Sequence, residues 1–224
     1  MDCLATFIEV AEKKGWTYFL AFGSLLGSWR HHGMILWDGD VDVYVNISHR
    51  DDIIKTFNNT DYTPQQMFSP RKIVKLYSTL STLNTSYIKE GLGWWMWPYL
   101  DIFFFTEDAT HIHNVESSAR IEKSDVFPLH ERPFGSLWVP CPKNTFKVLK
   151  EAYGKEESEL CKGYTTEVNC QLLKDLVPFV HRQVVNGALY ETLKLGNRTL
   201  AWQYIKNETV VVTSPYDFGK VESP

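Results

Sequence analysis

Apolar residues recur at helical spacing at the start of the chain. Leu4, Phe7, Ile8 and Ala11 share one face of a helix expected from Asp2 to Lys14, with Gly15 ending it. The period then changes. Trp16–Phe22 is apolar and aromatic enough for a buried strand. Ser24 is placed to cap a short helix from Leu25 to about Arg30, and Gly33 to terminate it. From Asp40 to Val45 the residues alternate, Asp-Val-Asp-Val-Tyr-Val, which predicts a strand. Ser48–Phe57 reads as a helix, and Ile73–Tyr77 and Tyr99–Phe105 as strands separated by the Gly/Trp-rich turn Gly-Leu-Gly-Trp-Trp-Met-Trp-Pro.

Further along, His130–Pro133 is expected as a loop before a strand at Gly135–Val139, followed by a helix from about Lys143 to Tyr153 that Gly154 closes. Thr166 to about Leu195 reads as mainly helical, interrupted at Pro178, because Leu172, Leu176, Phe179 and Val180 fall at helical spacing. Leu200–Thr213 suits one or two strands, and Tyr216–Pro224 an unstructured tail. The predicted fold class is α+β: one mixed sheet flanked by helices over residues 1–154, then a mainly helical extension and tail over 155–224, packed on the same domain.

Composition narrows the functional classes. A net charge of −4 and a pI near 6.0 exclude the basic face of a nucleic-acid binder. No apolar run reaches the length of a membrane span. Five Asn-x-Ser/Thr acceptor sites occur, at Asn46, Asn58, Asn84, Asn197 and Asn207. The site at Asn46 abuts the Asp-rich strand, where a glycan would obstruct it, so the candidate glycosylation sites are Asn58, Asn84, Asn197 and Asn207. Cys3, Cys141, Cys161 and Cys170 form an even set able to pair in an oxidising compartment, with no zinc-ligand spacing. The start of the chain lacks a signal-peptide pattern. The expectation is a domain of the secretory-pathway lumen whose anchor lies outside this chain, with a cytoplasmic location as the alternative.

The chemistry concentrates in Gly23–Val45. Asp40 and Asp42 lie on one face of the predicted strand, with Val41, Val43 and Val45 on the other. Two carboxylates about 6–7 Å apart repel by roughly 2–3 kcal/mol at an effective dielectric near 20. A divalent cation is the simplest counter-ion. Asp101 stands alone among apolar strand residues, where an ionised carboxylate is costly unless paired or metal-bound, and is a candidate third ligand. A Gly23-Ser24 turn between strand and helix offers backbone N–H groups and a hydroxyl to a phosphate.

Several other residues carry weaker signals. His31 and His32 suit either a helix end or a phosphate contact. Arg71, Lys72 and Lys75 would reach phosphates or remain solvated. Trp94, Trp95 and Trp97 suit ring stacking, though packing is the commoner role. His111 and His113 alternate like strand residues without a third ligand.

The stretch Gly-Ser-Leu-Leu-Gly-Ser-Trp-Arg-His-His-Gly-Met-Ile-Leu-Trp-Asp-Gly-Asp-Val-Asp-Val resembles the signature of the LicD–fukutin family. The matching positions are Gly23, Ser24, Leu25, Leu26, Gly27, Arg30, His31, Gly33, Ile35, Trp37, Asp38, Asp40 and Asp42. Tyr99-Leu100-Asp101-Ile102, Val126-Phe127-Pro128-Leu129, Trp138-Val139-Pro140 and Ala152-Tyr153-Gly154 extend the resemblance, which then covers about residues 16–154.

The resemblance implies a nucleotidyltransferase-like core over residues 1–154. It further implies transfer of a phospho-alcohol, such as phosphocholine or ribitol phosphate, from a CDP-activated donor to a glycan or glycoprotein acceptor, with release of CMP. Asp40, Asp42 and Asp101 would be catalytic and hold one or two Mg²⁺ or Mn²⁺ ions. Gly23, Ser24 and Arg30 would bind the donor phosphates, supported by Asp38 and His31. No nucleic acid or membrane span enters this scheme, and the number of glycan acceptor sites suits the fukutin-like branch and a Golgi lumen. Two rivals remain at this stage: an Asp-x-Asp glycosyltransferase using a nucleotide-sugar, and a catalytically inactive glycan-binding module.

Overall fold

The computed structural model describes residues 2–35, 38–67, 73–80, 83–84, 96–154, 179–185, 188–206 and 209–213. Trp37, Arg71, Lys72, Trp94, Trp95, Asn207, Cys161, Cys170, the helical reading of 166–178 and the tail from Tyr216 lie outside them.

The chain opens with α1 (Asp2–Lys14), followed by β1 (Tyr18–Leu20), α2 (Phe22–His31) and β2 (Val41–Asn46). A turn of 3₁₀ helix leads into α3 (Arg50–Phe57), then β3 (Tyr62–Gln66), β4 (Val74–Ser78), β5 (Leu83–Asn84) and β6 (Met96–Trp97). Next come β7 (Tyr99–Glu107), β8 (His111–Asn114), β9 (Arg120–Glu122), α4 (Lys123–Val126), β10 (His130–Phe134), β11 (Leu137–Cys141) and α5 (Thr145–Tyr153). Four strands complete the described chain: β12 (Phe179–Val185), β13 (Ala188–Leu195), β14 (Arg198–Lys206) and β15 (Thr209–Thr213).

The central sheet has the order β1-β2-β7-β4-β3, with β8 and β9 continuing from the far end of β7. β2 and β7 run parallel and the other pairs antiparallel, so the sheet is mixed. Alternation assigns its two faces. Tyr18, paired with Val45, faces α1 and α3: Phe7 packs edge-on to Tyr18 at 5.4 Å and stacks on Phe57 at 6.4 Å. Fully burying a Phe of this kind contributes about 3 kcal/mol, which fixes α1 and α3 to that face. The opposite face carries Phe19, Tyr44, Phe103 and Phe105, with Phe22 from the start of α2 against Tyr44 and Phe103. Asp42 and Asp101 stand on this second face, in line with Tyr44 and Phe103.

The expected α+β class and the flanking of a mixed sheet by helices are found. The mainly helical C-terminal part is not: over residues 179–213 the described chain is an antiparallel sheet in the order β12-β13-β14-β15. Val185 pairs with Ala188 and Leu195 with Arg198, so the residues between them in sequence are Asn186-Gly187 and Gly196-Asn197. Such dipeptides between β-rich runs favour tight hairpins, and that local preference outweighs the fortuitous helical spacing around Phe179 and Val180.

Three smaller corrections concern the core. α2 starts at Phe22, not Leu25; its N-cap is Ala21, and Ser24 sits inside the first turn. It ends on His32, which takes the left-handed conformation (φ 55°) expected of Gly33, held by N–H bonds to the carbonyls of Gly27 and Ser28. His130–Pro133, expected as a loop, is most of β10, paired with β11 through Arg132↔Val139 and Pro133↔Trp138. Proline is tolerated there because, among the described residues, β10 and β11 form a two-stranded sheet and no further strand pairs with β10.

Candidate active site

The site is assembled where β1, α2, β2 and β7 meet. The N–H of Ala21 donates to the carbonyl of Asp42 at 3.0 Å, and the N–H of Asp42 donates to Ser24 Oγ at 2.8 Å. Both backbone groups of Asp42 are therefore fixed by the β1–α2 corner. Phe22 makes that corner with a left-handed backbone (φ 40°), a conformation costing a β-carbon residue roughly 1–2 kcal/mol and offset by its ring contacts to Tyr44 and Phe103. Two glycines permit close approach. A β-carbon on Gly23 would sit 2.4 Å from Asp38 Oδ2 and 3.6 Å from Asp42 Oδ2, and one on Gly27 would sit 2.3 Å from the Gly33 carbonyl oxygen. The helix start is thus pressed directly against the acidic residues.

Parallel pairing of β2 with β7 places Asp42 beside Asp101. Asp40 lies just before β2, and Asp40, Asp42 and Asp101 each bring a carboxylate oxygen within 4.8 Å of the others. Among the described residues this is the one group of three or more acidic, His or Cys side chains able to hold a metal ion. An all-oxygen donor set fits a hard divalent cation such as Mg²⁺ or Mn²⁺.

Electrostatics point the same way. Burial, then the charges of Asp40, Asp101 and Asp38, push the Asp42 carboxyl up to about 8. Asp38 is raised to about 6 by burial and by Asp40. Asp101 is raised to about 6 by burial, against the pull of Lys75. Three carboxyls held above their usual range in one place form a site short of positive charge, which a divalent ion would supply.

Three side chains around the cluster were not assigned to it from the sequence. Lys75, on β4, is buried and donates to both Asp101 oxygens at 2.7 Å. Tyr99 donates its hydroxyl to Asp40 Oδ2 at 3.2 Å, and its ring lies 4.0 Å from the Lys75 ammonium. Trp97, 43% exposed, donates its indole N–H to the carbonyl of Gly39, between Asp38 and Asp40, at 2.7 Å. Tyr99 lies in a strand expected from the sequence; the partners of Lys75 and Trp97 depend on the fold and had no local signal.

The remaining candidates sit as follows. Arg30 is buried; burial lowers its guanidinium to about 10, opposed by Tyr153 and by Asp38. Its Nε donates to His31 Nε2 at 2.8 Å, and His31 meets the edge of Phe179 at 4.7 Å, so His31 braces Arg30 from the side of the C-terminal sheet. His32 joins buried Glu191 instead, at 3.4 Å. His113, on β8, pairs with Asp108 at 2.8 Å, and among the described residues it belongs to no metal-type group. Asn58 and Asn197 have exposed side chains, whereas Asn46 caps the 3₁₀ turn through Ser48 and donates to Glu107. Cys3 and Cys141 are buried free thiols, the latter pushed up to about 12 by burial.

A Gly-Ser helix start and strand carboxylates converge on one face of a mixed sheet. The sequence model described as LicD/FKTN/FKRP, nucleotidyltransferase domain, matches residues 15–144, and the chain belongs to that family. No curated protein matches the chain. Among solved structures, the crystal structure of lincosamide antibiotic adenylyltransferase LnuA, lincomycin-bound, is 18% identical over 70% of this chain and 90% of that chain, with a TM-score of 0.43. None of the described helices is long and apolar enough to cross a membrane.

Proposed function

We propose that this chain is a metal-dependent phosphotransferase that moves a phospho-alcohol from a CDP-activated donor to a glycan hydroxyl and releases CMP. The observation that carries the reading is the convergence of Asp40, Asp42 and Asp101 within 4.8 Å beside the start of α2. Family membership supports transferase chemistry of this type.

A Mg²⁺ or Mn²⁺ ion held by the three carboxylates would offset charge on the donor diphosphate. The chain's own groups supply the rest. Backbone N–H groups at Gly23 and Ser24, in the first turn of α2, would serve phosphate oxygens, and Ser24 keeps its hydroxyl proton to donate after accepting from Asp42. Arg30, in the last turn of α2, balances Asp38 and adds positive charge beside it. The acceptor hydroxyl oxygen forms a bond to the phosphorus that carries the alcohol, and the bond from that phosphorus to the bridging oxygen breaks, so CMP leaves. Asp101 is the carboxylate assigned to take the acceptor's proton. The exposed side chains of Asn58 and Asn197 support a lumenal, Golgi-type location.

The test combines binding and turnover. A thermal shift should require CDP together with Mn²⁺ or Mg²⁺ and vanish in Asp42→Asn; a ligand at about 100 times its Kd stabilises by roughly 2.7 kcal/mol. CDP-alcohols offered with glycan acceptors should then yield CMP and a phosphodiester. A nucleoside diphosphate with a glycoside would instead identify a glycosyltransferase. No shift at millimolar ligand, from folded protein, would support a glycan-binding module.

A further inference from the structure

Phosphoryl-transfer sites of the two-ion kind hold their cations about 3.5–4 Å apart on shared carboxylates. In this chain a protein cation already occupies one flank of the carboxylate cluster. Lys75 on β4 is paired in register with Asp101 on β7, which is paired in register with Asp42 on β2. The three side chains form a row across neighbouring strands on one face of the sheet. The Lys75 ammonium meets both oxygens of Asp101 at 2.7 Å and is only 7% exposed. Tyr99 closes its other side: the ring lies 4.0 Å from the ammonium, and the hydroxyl is bonded to Asp40. Ammonium, Asp101, Tyr99 and Asp40 therefore make one continuous wall.

Charge counting gives this wall a consequence. With Asp38 balanced by Arg30, the three ionised carboxylates of the cluster carry −3 and the ammonium +1, leaving −2, which a single divalent ion neutralises. A second dication drawing on Asp101 would have to sit beside a buried like charge that its own ligand already holds.

We propose that Lys75 takes the place of a second metal ion, so that this chain binds one divalent cation where its carboxylates alone would accept two. The proposal rests on the reading of Asp40, Asp42 and Asp101 as metal ligands and deepens it. Lys75 acts through Asp101 and is a positioning residue. A lysine serving only to neutralise Asp101 for folding would have no influence on how many ions the site takes.

Stoichiometry decides between the two roles without any substrate. Mn²⁺ alone is titrated into the whole chain, and bound ion is counted by the loss of the free-Mn²⁺ paramagnetic signal and by calorimetry. Wild type should bind one tight Mn²⁺, and Lys75→Arg should also bind one. The uncharged variants Lys75→Met and Lys75→Gln, confirmed as folded by thermal melting, should bind two. Two ions in wild type would overturn the proposal by themselves, whether or not the variants fold. One ion in either folded uncharged variant would overturn it as well, leaving Lys75 a neutralising partner of Asp101. No tight ion in folded wild type would remove the metal reading itself, an outcome separate from both.

Discussion

Asp42 and Ser24, eighteen positions apart, are joined by a 2.8 Å bond from the Asp42 backbone N–H to the Ser24 hydroxyl. Both residues are buried, so the bond ties the carboxylate strand to the first turn of the helix that faces it. Ser24→Ala would leave that N–H unsatisfied at a cost of about 1–3 kcal/mol. The expected result is a Tm lower by several degrees and weaker Mn²⁺ binding, with Ser24→Thr restoring much of both. Calorimetric melts and Mn²⁺ titration of the three proteins check it. An unchanged melt in Ser24→Ala would show that the bond carries no weight.

Gly23 and Gly27 should fail in different ways. A methyl at Gly23 collides with the end of the Asp38 side chain, which can swing aside. Gly23→Ala is therefore expected to stay folded while losing metal and CDP affinity. A methyl at Gly27 meets the Gly33 backbone carbonyl at 2.3 Å, and backbone must move to admit it. Gly27→Ala should cost about 1–3 kcal/mol of stability. Denaturant unfolding of the pair, with binding measured on whatever remains folded, separates the two effects.

The C-terminal sheet is locked to the core by one buried anion. Glu191, on β13, accepts from Arg132 of β10 at 3.1 Å on each oxygen, from Arg182 Nε at 2.8 Å, from Gln203 and from His32 at the end of α2. Arg182 also stacks on Trp29 at 3.4 Å and donates to its carbonyl. Burial alone would raise the Glu191 carboxyl; Arg132, His32 and Arg182 outweigh it and hold the group well below its usual range. Burial lowers His32, so the two arginines supply the balancing charge at neutral pH.

A carboxyl depressed on folding contributes stability that is present above its unfolded pKa, near 4.5, and lost as pH falls toward its folded value. Glu191→Gln should cost about 3–5 kcal/mol at pH 7, since it leaves two buried guanidinium groups unbalanced. That is a fall in Tm of roughly 10 °C. The gap between wild type and variant should narrow as pH drops below about 4.5. Urea unfolding from pH 7 to pH 3 measures it; a gap that stays constant would sink the assignment.

Trp97 offers a ring at the mouth of the carboxylate loop, tethered by its indole N–H to Gly39. Trp97→Phe keeps a flat ring and removes the tether; Trp97→Ala removes both. If the ring stacks on a substrate, Ala should raise the donor or acceptor KM about tenfold or more and Phe less, as base–aromatic stacking is worth roughly 1–3 kcal/mol. Equal losses in the two variants would assign the effect to the Gly39 tether instead. Steady-state kinetics with each substrate varied in turn decides.

What the chain states locally, it states well. The helical spacing of Leu4, Phe7, Ile8 and Ala11 and the alternation through Asp40–Val45 depend only on backbone geometry, and both elements are found where they are expected. Asp101 was legible because an isolated carboxylate in an apolar strand calls for a partner. The Asn186-Gly187 signal between β12 and β13 was equally local, and the helical spacing of a few leucines obscured it.

Only the tertiary structure decided who the partners are. Lys75 meets Asp101, and Asp101 meets Asp42, through strand register; a shift of one residue would turn each side chain to the other face. Arg132, Arg182 and His32 converge on Glu191 from three separate elements, a relation that no spacing along the chain encodes. The sequence by itself determined which residues carry charge and which local structures hold them. Packing decided which charges are buried together, and burial is what makes their pairing matter.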